Sequence, residues 1–455
     1  MRLRVTPGGT LRGRIDVPGD KSIAHRWLIL AATGEGTSRL ANLPPSLDVR
    51  STASCLAAVA PPGRASLEAW ARNGGAHPEG HRSTWNSAEA GTLDASLEVE
   101  GEGRAGLREP SSDLDCGNSG TSMRLLAGVL AGAPFTTRLV GDPSLSSRPM
   151  ERVAEPLRLM GAELTTTDGR APILVHGGGL RGICYATPLP TAQVKSALVF
   201  AALAAQGETV IEEPAPTRDH TERALAALGA PVVAEPGRVR VRAYQHRGFE
   251  AAVPGDISSA AFLVVAAALT GSEITITGVG LNPSRMTFLD VLARMGVATE
   301  PTVIGTELGE PIGELRVVPA GRLSGTTVSS EELPLVVDEV PVLSALAAHA
   351  EGETWFLGAG ELRVKESDRL AAVAQGLRAL GGHAGDEGGD LVVAGTGLRG
   401  GIADAGGDHR MAMALTVAAL AADGPSDVAG VEAADVSFPG FADALASLGA
   451  RLEGL

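Results

Sequence analysis

Lysine is rare in this chain, and two of its lysines lie in segments that could bind an anion. Of the 38 basic residues, only Lys21, Lys195 and Lys365 are lysine. Where arginine is so strongly favoured, a retained lysine marks a position that needs a compact ammonium with a tunable pKa. We therefore interpret Lys21 and Lys365 as candidates for anion binding and proton transfer. Lys195 follows an apolar helical pattern, and we expect it to form a structural ion pair.

Three segments have the chemistry of anion binding. Pro18–Arg26 places a lysine, a serine and an arginine at the start of a helix, where free N–H groups and the helix dipole favour phosphate. Gly117–Arg124 is a glycine-containing loop that leads into a second helix. Arg148 precedes Pro149, which favours the first turn of a third. The spaced glycine of a nucleotide-binding P-loop is missing before Lys21.

A fourth segment has the chemistry of proton transfer. Arg363–Arg369 contains Lys365 and Glu366 between two arginines at a predicted helix start. Close neighbours of opposite charge can separate pKa values for general acid and general base catalysis. Asp408, His409 and Arg410 open a further helix, and no second histidine stands at metal-ligand spacing. We expect neither a metal site nor a cofactor.

These segments belong to a cassette that occurs six times. In each cassette a polar residue opens an Ala/Leu-rich helix, a β-like run follows, and a second helix ends in a turn. The first helices open at Asp20, Ser119, Thr191, Asp256, Asp338 and Asp408, and the second helices end near Ala60 and at Gly161, Gly229, Gly296, Gly381 and Gly449. Six such units could form a solenoid or two domains of three units. The polar openings predict that the first helices direct their N-termini to a common anion site.

The first cassette is longer than the others. We expect the excess, Pro61–Ser112, to be an exposed insertion with one strand near residues 95–101. It contains Gly101–Gly106, which matches the spacing GxGxxG, but a Pro-Ser-Ser sequence follows where a helix should begin. We therefore predict no dinucleotide site there.

Composition excludes several classes of function. The chain has 455 residues and a net charge of −15, so its mean field repels nucleic acids and anionic membranes. The longest apolar run, Ala260–Leu269, is about half the length of a membrane helix. Cys55, Cys116 and Cys184 are too few and too far apart for a disulfide framework. We expect a cytoplasmic protein.

The ordered motifs resemble the 5-enolpyruvylshikimate-3-phosphate synthase family. They cover all six cassettes: PGDKSIAHR (18–26), GNSGTSMRLLAG (117–128), GDPSLSSRPM (141–150), PTAQVKSAL (190–198), PGDISSAAF (254–262), DEVP (338–341), RVKESDR (363–369) and DHRMAM (408–413). The resemblance implies a two-domain inside-out α/β barrel of six βαβαββ-like repeats, three per domain. The domains would be 20–253 and 1–19 plus 254–455, with the site in the cleft and closure on ligand.

The resemblance also implies a reaction and its residues. The enolpyruvyl group of phosphoenolpyruvate would pass to the 5-hydroxyl of shikimate 3-phosphate, releasing phosphate. Shikimate 3-phosphate would be held by Lys21, Ser22, Arg26, Thr191, Gln193, Thr217, Asp338 and Lys365. Phosphoenolpyruvate would be held by Lys21, Gly120, Arg148, Gln193, Arg369 and Arg410. These two small molecules would be the only partners of a monomeric enzyme, and glyphosate would compete with phosphoenolpyruvate.

Catalysis would fall to Asp338, Lys365, Glu366 and Lys21. The attacking hydroxyl must lose a proton while the methylene carbon gains one, so one base and one acid are needed. Asp338 is the candidate base, and either Lys365 or Glu366 is the candidate acid.

Two other functions are compatible with part of these motifs, and some positions differ from the pattern of the family. The chain could transfer the same group to UDP-N-acetylglucosamine, although Cys116 does not lie on the Pro/Gly-rich flap of those enzymes. It could also be a noncatalytic homologue that binds phosphometabolites, although it keeps every acid and base candidate. Thr217–His220 lacks an aromatic residue present in one branch of the family, and Val436-Ser437 lacks a lysine that some members carry.

Overall fold

The computed structural model describes residues 1–74, 96–319 and 321–455. Its buried apolar side chains form two separate cores. One core combines residues from Leu3 to Val17 with residues from Ile257 to Ala450. The other contains residues from Ile23 to Val253. The domain boundaries after residues 19 and 253 stay a prediction, which the two cores support.

Six pairs of helices form as the repeats predict. The first helices of the pairs are α1 (Lys21–Thr33), α4 (Gly120–Leu130), α7 (Ala192–Ala202), α9 (Ile257–Leu269), α12 (Val340–Ala347) and α14 (His409–Ala419). The second helices are α2 (Leu47–Val59), α6 (Glu151–Leu159), α8 (His220–Ala227), α10 (Thr287–Arg294), α13 (Arg369–Ala379) and α15 (Phe441–Leu448). Three further helices are α3 (Arg64–Asn73), α5 (Pro143–Ser146) and α11 (Leu333–Val336). The expectation of paired helices is confirmed.

The two kinds of helix differ in how they are buried. In α9 every residue from Ile257 to Ala268 is buried, as expected for an apolar helix at the centre of a layer. The second helices bury one face only; α6 buries Val153, Ala154 and Leu157. The glycines that follow five of the second helices have φ between 80° and 115°. This left-handed conformation ends a helix without the strain that a side chain would cause.

The strands of the described residues form six small sheets. Their bounds are β1 (Arg2–Thr6), β2 (Arg12–Asp16), β3 (Glu35–Ala41), β4 (Leu97–Glu102), β5 (Leu114–Asp115), β6 (Thr136–Val140), β7 (Glu163–Thr167), β8 (Arg170–His176), β9 (Cys184–Ala186), β10 (Glu208–Glu212), β11 (Val232–Glu235), β12 (Arg238–Arg242), β13 (Glu250–Ala252), β14 (Glu273–Gly280), β15 (Thr299–Glu307), β16 (Glu310–Val317), β17 (Thr327–Val328), β18 (Glu353–Phe356), β19 (His383–Glu387), β20 (Asp390–Ala394), β21 (Ile402–Asp404), β22 (Ser426–Ala429) and β23 (Arg451–Gly454). Three sheets lie in 20–253, with orders β13-β3-β4, β5-β6-β8-β7 and β11-β12-β10-β9. The other three have orders β15-β16-β14-β2, β17-β18-β20-β19 and β21-β22-β1-β23. The predicted fold class, a two-domain α/β architecture of six repeats, is confirmed.

The chain passes between the two halves twice, and the strand pairings stay within the halves. Strand β2 precedes the first crossing and pairs in parallel with β14, which lies beyond the second. Strands β3 and β13 both lie between the crossings and pair in parallel with each other. The half that contains residues 1–19 is therefore joined across the crossings by β2, whereas the sheets of the other half use only strands from between them.

The expectation of an exposed insertion at Pro61–Ser112 is wrong for its described parts. Residues 64–73 form helix α3, which buries Leu67 and Trp70. Strand β4 lies where one strand was predicted and pairs with all of β3 except its last residue, so it completes the first sheet. Residues 75–95 lie outside the described residues. Gly101 lies within β4, where a Cβ would stand 2.4 Å from the Gly34 carbonyl oxygen, so close packing explains this glycine.

Neither a membrane helix nor a disulfide occurs in the described residues. No helix there is long and apolar enough to cross a bilayer. The three cysteines all carry free thiols.

The two crossings lie side by side and surround a buried arginine. The Asp20 N–H donates to the Pro254 carbonyl at 2.7 Å, and the Asp256 N–H donates to the Pro18 carbonyl at 2.8 Å. The guanidinium of Arg285 lies 3.2 Å from the Asp20 carboxylate and 3.8 Å from that of Asp256. Glu339 lies 3.8 Å from the same guanidinium nitrogen as Asp256. Three buried carboxylates thus share one cation where the crossings meet.

Asp256 should destabilise the native state above neutral pH. Burial and the neighbouring Asp20 charge raise the pKa of Asp256 to about 6, so the folded chain favours its protonated form. Ionisation of Asp256 does not lower the free energy of unfolding below about pH 4, and it lowers it by the full amount above about pH 6. Asp256→Asn keeps the N-cap acceptor for Ser258 and removes the charge. We expect a higher Tm for the variant at about pH 8, with a smaller gain at about pH 4.5.

Asp408→Asn provides the control of opposite sign. Asp408 is also a buried N-cap, but the Arg369 charge outweighs the effect of burial and lowers the pKa of this carboxyl. Its replacement should therefore lower the Tm by about the same amount at both pH values, because this stabilisation is lost only below about pH 4. Calorimetry at both pH values measures the differences, and an equal change in the Asp256 variant at the two pH values would refute the argument.

Candidate active site

A cavity between the two halves brings together every predicted site residue except Arg26. Residues 20–253 contribute Lys21, Ser22, Gly120, Arg148, Thr191, Gln193 and Thr217. The other half contributes Asp338, Lys365, Glu366, Arg369 and Arg410. Neither half contains the whole set, so the site exists only where the halves meet.

The N-termini of the first helices position many of these side chains. Asp20, Ser119, Asp256 and Asp408 each cap a helix by accepting a hydrogen bond from a backbone N–H in its first turn. The residues that follow these caps include Lys21, Gly120 and His409, which line the cavity. The local sequence thus fixes where each helix begins, and the helix start directs the side chain into the cleft.

Arg26 lies beneath the cavity rather than at its surface. Its guanidinium is buried and donates to the Ser22 carbonyl at 2.7 Å, to Thr221 Oγ1 at 2.8 Å and to Ser196 Oγ at 2.8 Å. Burial lowers the pKa of Arg26 to about 10. Every polar contact of this side chain is to the protein, and one of them supports Ser22 from below.

One wall of the cavity is rich in arginines that face no carboxylate. Arg124 donates to Gln193 Oε1 at 2.5 Å and to the Pro149 carbonyl at 3.1 Å. Arg148 donates to Asn118 Oδ1 at 2.5 Å. Within residues 1–74, 96–319 and 321–455, no acidic side chain forms an ion pair with either arginine, and the Nε atoms of both are buried without an acceptor. This wall can accept the negative charge of a ligand.

The opposite wall centres on Asp338. Arg218 reaches across from the other half and donates to its Oδ2. Arg410 and Arg369 lie 3.7 and 3.8 Å from this carboxylate. Burial alone would raise the pKa of Asp338, but the surrounding cations, Arg410 and Arg218 foremost, hold it well below its usual range. Asp338 is therefore an ionised carboxylate that can act as a base.

Glu366 is ionised for the same reason. It lies 2.6 Å from Arg369, whose Nε also donates to Asp408 at 2.9 Å. Burial opposes ionisation of Glu366, yet the Arg369 charge, with His409 and Lys21, lowers the pKa of its carboxyl strongly. An ionised Glu366 has no proton to give. Lys365, 3.7 Å from Glu361 and partly exposed, is the neighbouring group with N–H donors.

Lys21 is held as a cation. Its Nζ lies 3.0 Å from Asp48 Oδ2 in the first turn of α2. Burial would lower the pKa of Lys21, but the charges of Asp48 and Glu366 raise it. The sequence offered no signal for Asp48 beyond an acidic residue near a helix start. Lys21 is thus better suited to bind an anion than to exchange a proton.

Arg218 and His409 are two of the cavity residues that were not among the predicted site residues. Arg218 stood in the segment marked as a departure from part of the family, and its contact with Asp338 makes it part of the site. His409 was placed at a helix start without a role in the site, and it lines the cavity. Burial and the charges of Lys21, Arg410 and Arg369 lower the pKa of His409 to about 3, so the imidazole is neutral at pH 7.

No metal-binding cluster is present in the described parts of the chain. Among those residues, no three His, Cys, Asp or Glu side chains are grouped so that they could hold a metal ion. The chemistry of the cavity is that of arginine, lysine, carboxylate and amide groups.

Comparison with known proteins decides the family. Residues 5–64 and 88–445 match the profile described as EPSP synthase (3-phosphoshikimate 1-carboxyvinyltransferase). The chain belongs to the EPSP synthase family. A 3-phosphoshikimate 1-carboxyvinyltransferase of Acidithiobacillus ferrooxidans is 44% identical over 454 residues, 99% of each chain. One of Halorhodospira halophila is 45% identical, covering 99% of this chain and 96% of that one.

Solved structures agree with this membership of the EPSP synthase family. An EPSP synthase from Acinetobacter baumannii superposes with a TM-score of 0.82, at 36% identity and with complete coverage of both chains. The enolpyruvyl transferase NikO from Streptomyces tendae, at 21% identity, has a TM-score of 0.73 over 99% of this chain and 98% of its own, which shows a shared fold.

Proposed function

We propose that this protein transfers the enolpyruvyl group of phosphoenolpyruvate to the 5-hydroxyl of shikimate 3-phosphate, as a 3-phosphoshikimate 1-carboxyvinyltransferase. Membership of the EPSP synthase family carries this proposal. The cavity supports it, because an arginine-rich wall faces ionised carboxylates and a lysine across one cleft. Two anionic substrates and a proton-transfer reaction need that combination.

The substrates would occupy neighbouring parts of the cavity. Arg148 and Gly120 lie on the arginine-rich side, where phosphoenolpyruvate would place its phosphate, and Arg124 would add a third group there. Ser22, Thr191 and Thr217 lie along the same half and would bind shikimate 3-phosphate. Lys21 and Gln193 would contact both substrates.

The carboxylates would supply the base and Lys365 the acid. Asp338 would accept the proton of the 5-hydroxyl while the hydroxyl oxygen forms a bond to the central carbon of phosphoenolpyruvate. Lys365 would donate a proton to the methylene carbon, because Glu366 is ionised in this setting. In the second step a methyl proton would return to a base as the carbon–oxygen bond to phosphate breaks. Positive charge developing at the central carbon would be stabilised by the neighbouring carboxylates.

Phosphate release tests this function directly. The enzyme should release phosphate only when phosphoenolpyruvate and shikimate 3-phosphate are both present. Omitting each substrate in turn provides the controls, and UDP-N-acetylglucosamine should not replace shikimate 3-phosphate. Release without shikimate 3-phosphate, or no release with both substrates, would contradict the proposal.

Arginine substitutions should separate the two lysines of the cavity. Lys365→Arg keeps a charge but loses the proton, because the guanidinium pKa is above about 12, so kcat should fall by at least about 100-fold. Lys21→Arg keeps the fixed cation that binds anions, so it should raise KM values more than it lowers kcat. Steady-state kinetics of the two variants makes the comparison. An equal loss of kcat in both would show that Lys365 has no special role in proton transfer.

Gly120→Ala should distinguish glyphosate from phosphoenolpyruvate. A Cβ at this position would lie 2.8 Å from Arg124 Nη1 and 3.6 Å from Arg148 Nη1. The methyl group therefore narrows the arginine-rich wall, and the bulkier glyphosate should lose more affinity than phosphoenolpyruvate does. The inhibition constant and the KM for phosphoenolpyruvate, measured on both proteins, provide the test. Equal weakening of the two ligands would refute the packing argument.

A further inference from the structure

The third lysine is buried close to the active site, and the reaction proposed above does not use it. Lys195 lies on α7 two residues after Gln193, and its side chain is only 3% exposed. Its Nζ lies 2.8 Å from Glu213 Oε2 and 2.9 Å from Glu222 Oε1. The predicted ion pair is therefore confirmed, and it involves two carboxylates. Each of these carboxylate side chains is as buried as the lysine.

The geometry explains why this position needs lysine. The Thr217 carbonyl oxygen lies 3.4 Å from the same Nζ, so three acceptors surround an ammonium that has three N–H groups. A planar guanidinium directs its N–H groups in a fork and is larger. A compact cation is therefore the group that can lie close to both carboxylates and to this carbonyl at once.

Arg26 is a second buried cation beside this cluster. It donates to one hydroxyl on α7 and one on α8, the helices that carry Lys195 and Glu222. The Glu222 charge also raises the pKa of Arg26 against the effect of burial. We call Lys195, Arg26, Glu213 and Glu222 the quartet. Removing Lys195 would leave Glu213 and Glu222 buried without their nearest cation.

The quartet contacts the cavity at two points. Glu213 Oε1 accepts a hydrogen bond from the Thr217 hydroxyl at 2.5 Å. Arg26 donates to the Ser22 carbonyl. Thr217, Arg218 and Ser22 line the cavity.

The segment that carries Thr217 and Arg218 depends on such contacts. Residues 213–219 form neither helix nor strand, so no backbone ladder holds them in place. Arg218 leaves this segment to reach Ser22 Oγ at 3.4 Å and Asp338 on the opposite wall. A small displacement of the segment would therefore move a threonine and an arginine of the site together.

We propose that Lys195 is a positioning residue: through Glu213 it holds the 213–219 segment so that Thr217 and Arg218 meet the phosphorylated acceptor substrate. This inference rests on the proposed function, because it takes shikimate 3-phosphate as the ligand that Thr217 and Ser22 bind. It assigns no proton transfer to Lys195. Its loss should therefore weaken the binding of shikimate 3-phosphate far more than that of phosphoenolpyruvate.

Two variants test the proposal. Lys195→Met removes the charge from the quartet while keeping a long unbranched side chain. Glu213→Gln keeps the volume of Glu213 and removes its charge. Each should raise the KM for shikimate 3-phosphate by at least about 10-fold, which corresponds to the loss of one hydrogen bond to a charged group. The KM for phosphoenolpyruvate, measured with the other substrate saturating, should stay within about threefold of the native value.

Val199→Ala is the matched control. Val199 is a fully buried residue of the same helix α7, and it is not among the residues that line the cavity. The truncation should lower the Tm, as we also expect for the other two substitutions, and it should leave both KM values near native. A selective rise in the KM for shikimate 3-phosphate in the control as well would show that loosening of α7, and not the quartet, causes the effect.

The outcomes separate this inference from the proposed function. If the native protein does not use shikimate 3-phosphate at all, the proposed function fails. If the native protein is active and both quartet variants keep its KM for shikimate 3-phosphate, or change both KM values equally, the positioning role fails. If neither variant folds, the quartet is a structural element and the positioning role also fails.

Discussion

Buried positive charge is the constraint on which this cleft depends. Several guanidinium groups and two ammonium groups converge on the cleft, many of them from helix N-termini that are themselves positive, and like charges in a low dielectric repel strongly. Carboxylates balance these cations on one wall of the cleft but not on the other. Arg369 contacts Glu366 and Asp408, and Asp338 has Arg218 and Arg410 beside it. On the other wall Arg124 and Arg148 donate only to neutral groups.

This uneven balance gives the cleft its chemistry. On the wall where carboxylates face the arginines, the cations hold Asp338 and Glu366 ionised in spite of burial. Ionised carboxylates can accept protons. The uncompensated wall keeps its positive charge for an anionic ligand, although the whole chain has a net charge of −15. An acidic protein can therefore bind two anions, because the local arrangement and not the total charge sets the potential in a cleft.

Much of the site could be predicted from sequence, since helix N-caps and anion-binding residues are local signals. The caps at Asp20, Ser119, Asp256 and Asp408 were read correctly because a short polar side chain before an apolar helix has few other uses. Side-chain contacts across the cleft leave no such pattern in the local sequence. The contact between Arg218 and Asp338 joins residues 120 positions apart, and it depends on how two separately folded halves meet.

One prediction failed, and one predicted site residue lies deeper than its motif suggests. Helix α3 was missed because a stretch rich in glycine, proline and charge was interpreted by composition, while its buried Leu67, Trp70 and Ala71 follow helical spacing. Arg26 was placed at the substrate from its motif, but its neighbours on α7 and α8 bind it beneath the cavity. A motif places a residue at a helix start, but whether its side chain faces the cavity or a neighbouring helix depends on how the helices pack.

The central claim is that each wall of the cleft belongs to a different half of the chain and that an anionic ligand joins them. Small-angle X-ray scattering of the full chain, with and without saturating shikimate 3-phosphate and glyphosate, tests this claim most directly. A ligand that compensates Arg124 and Arg148 while contacting the opposite wall should draw the halves together, so the radius of gyration should decrease. Superimposable scattering profiles with and without the ligands would contradict the account.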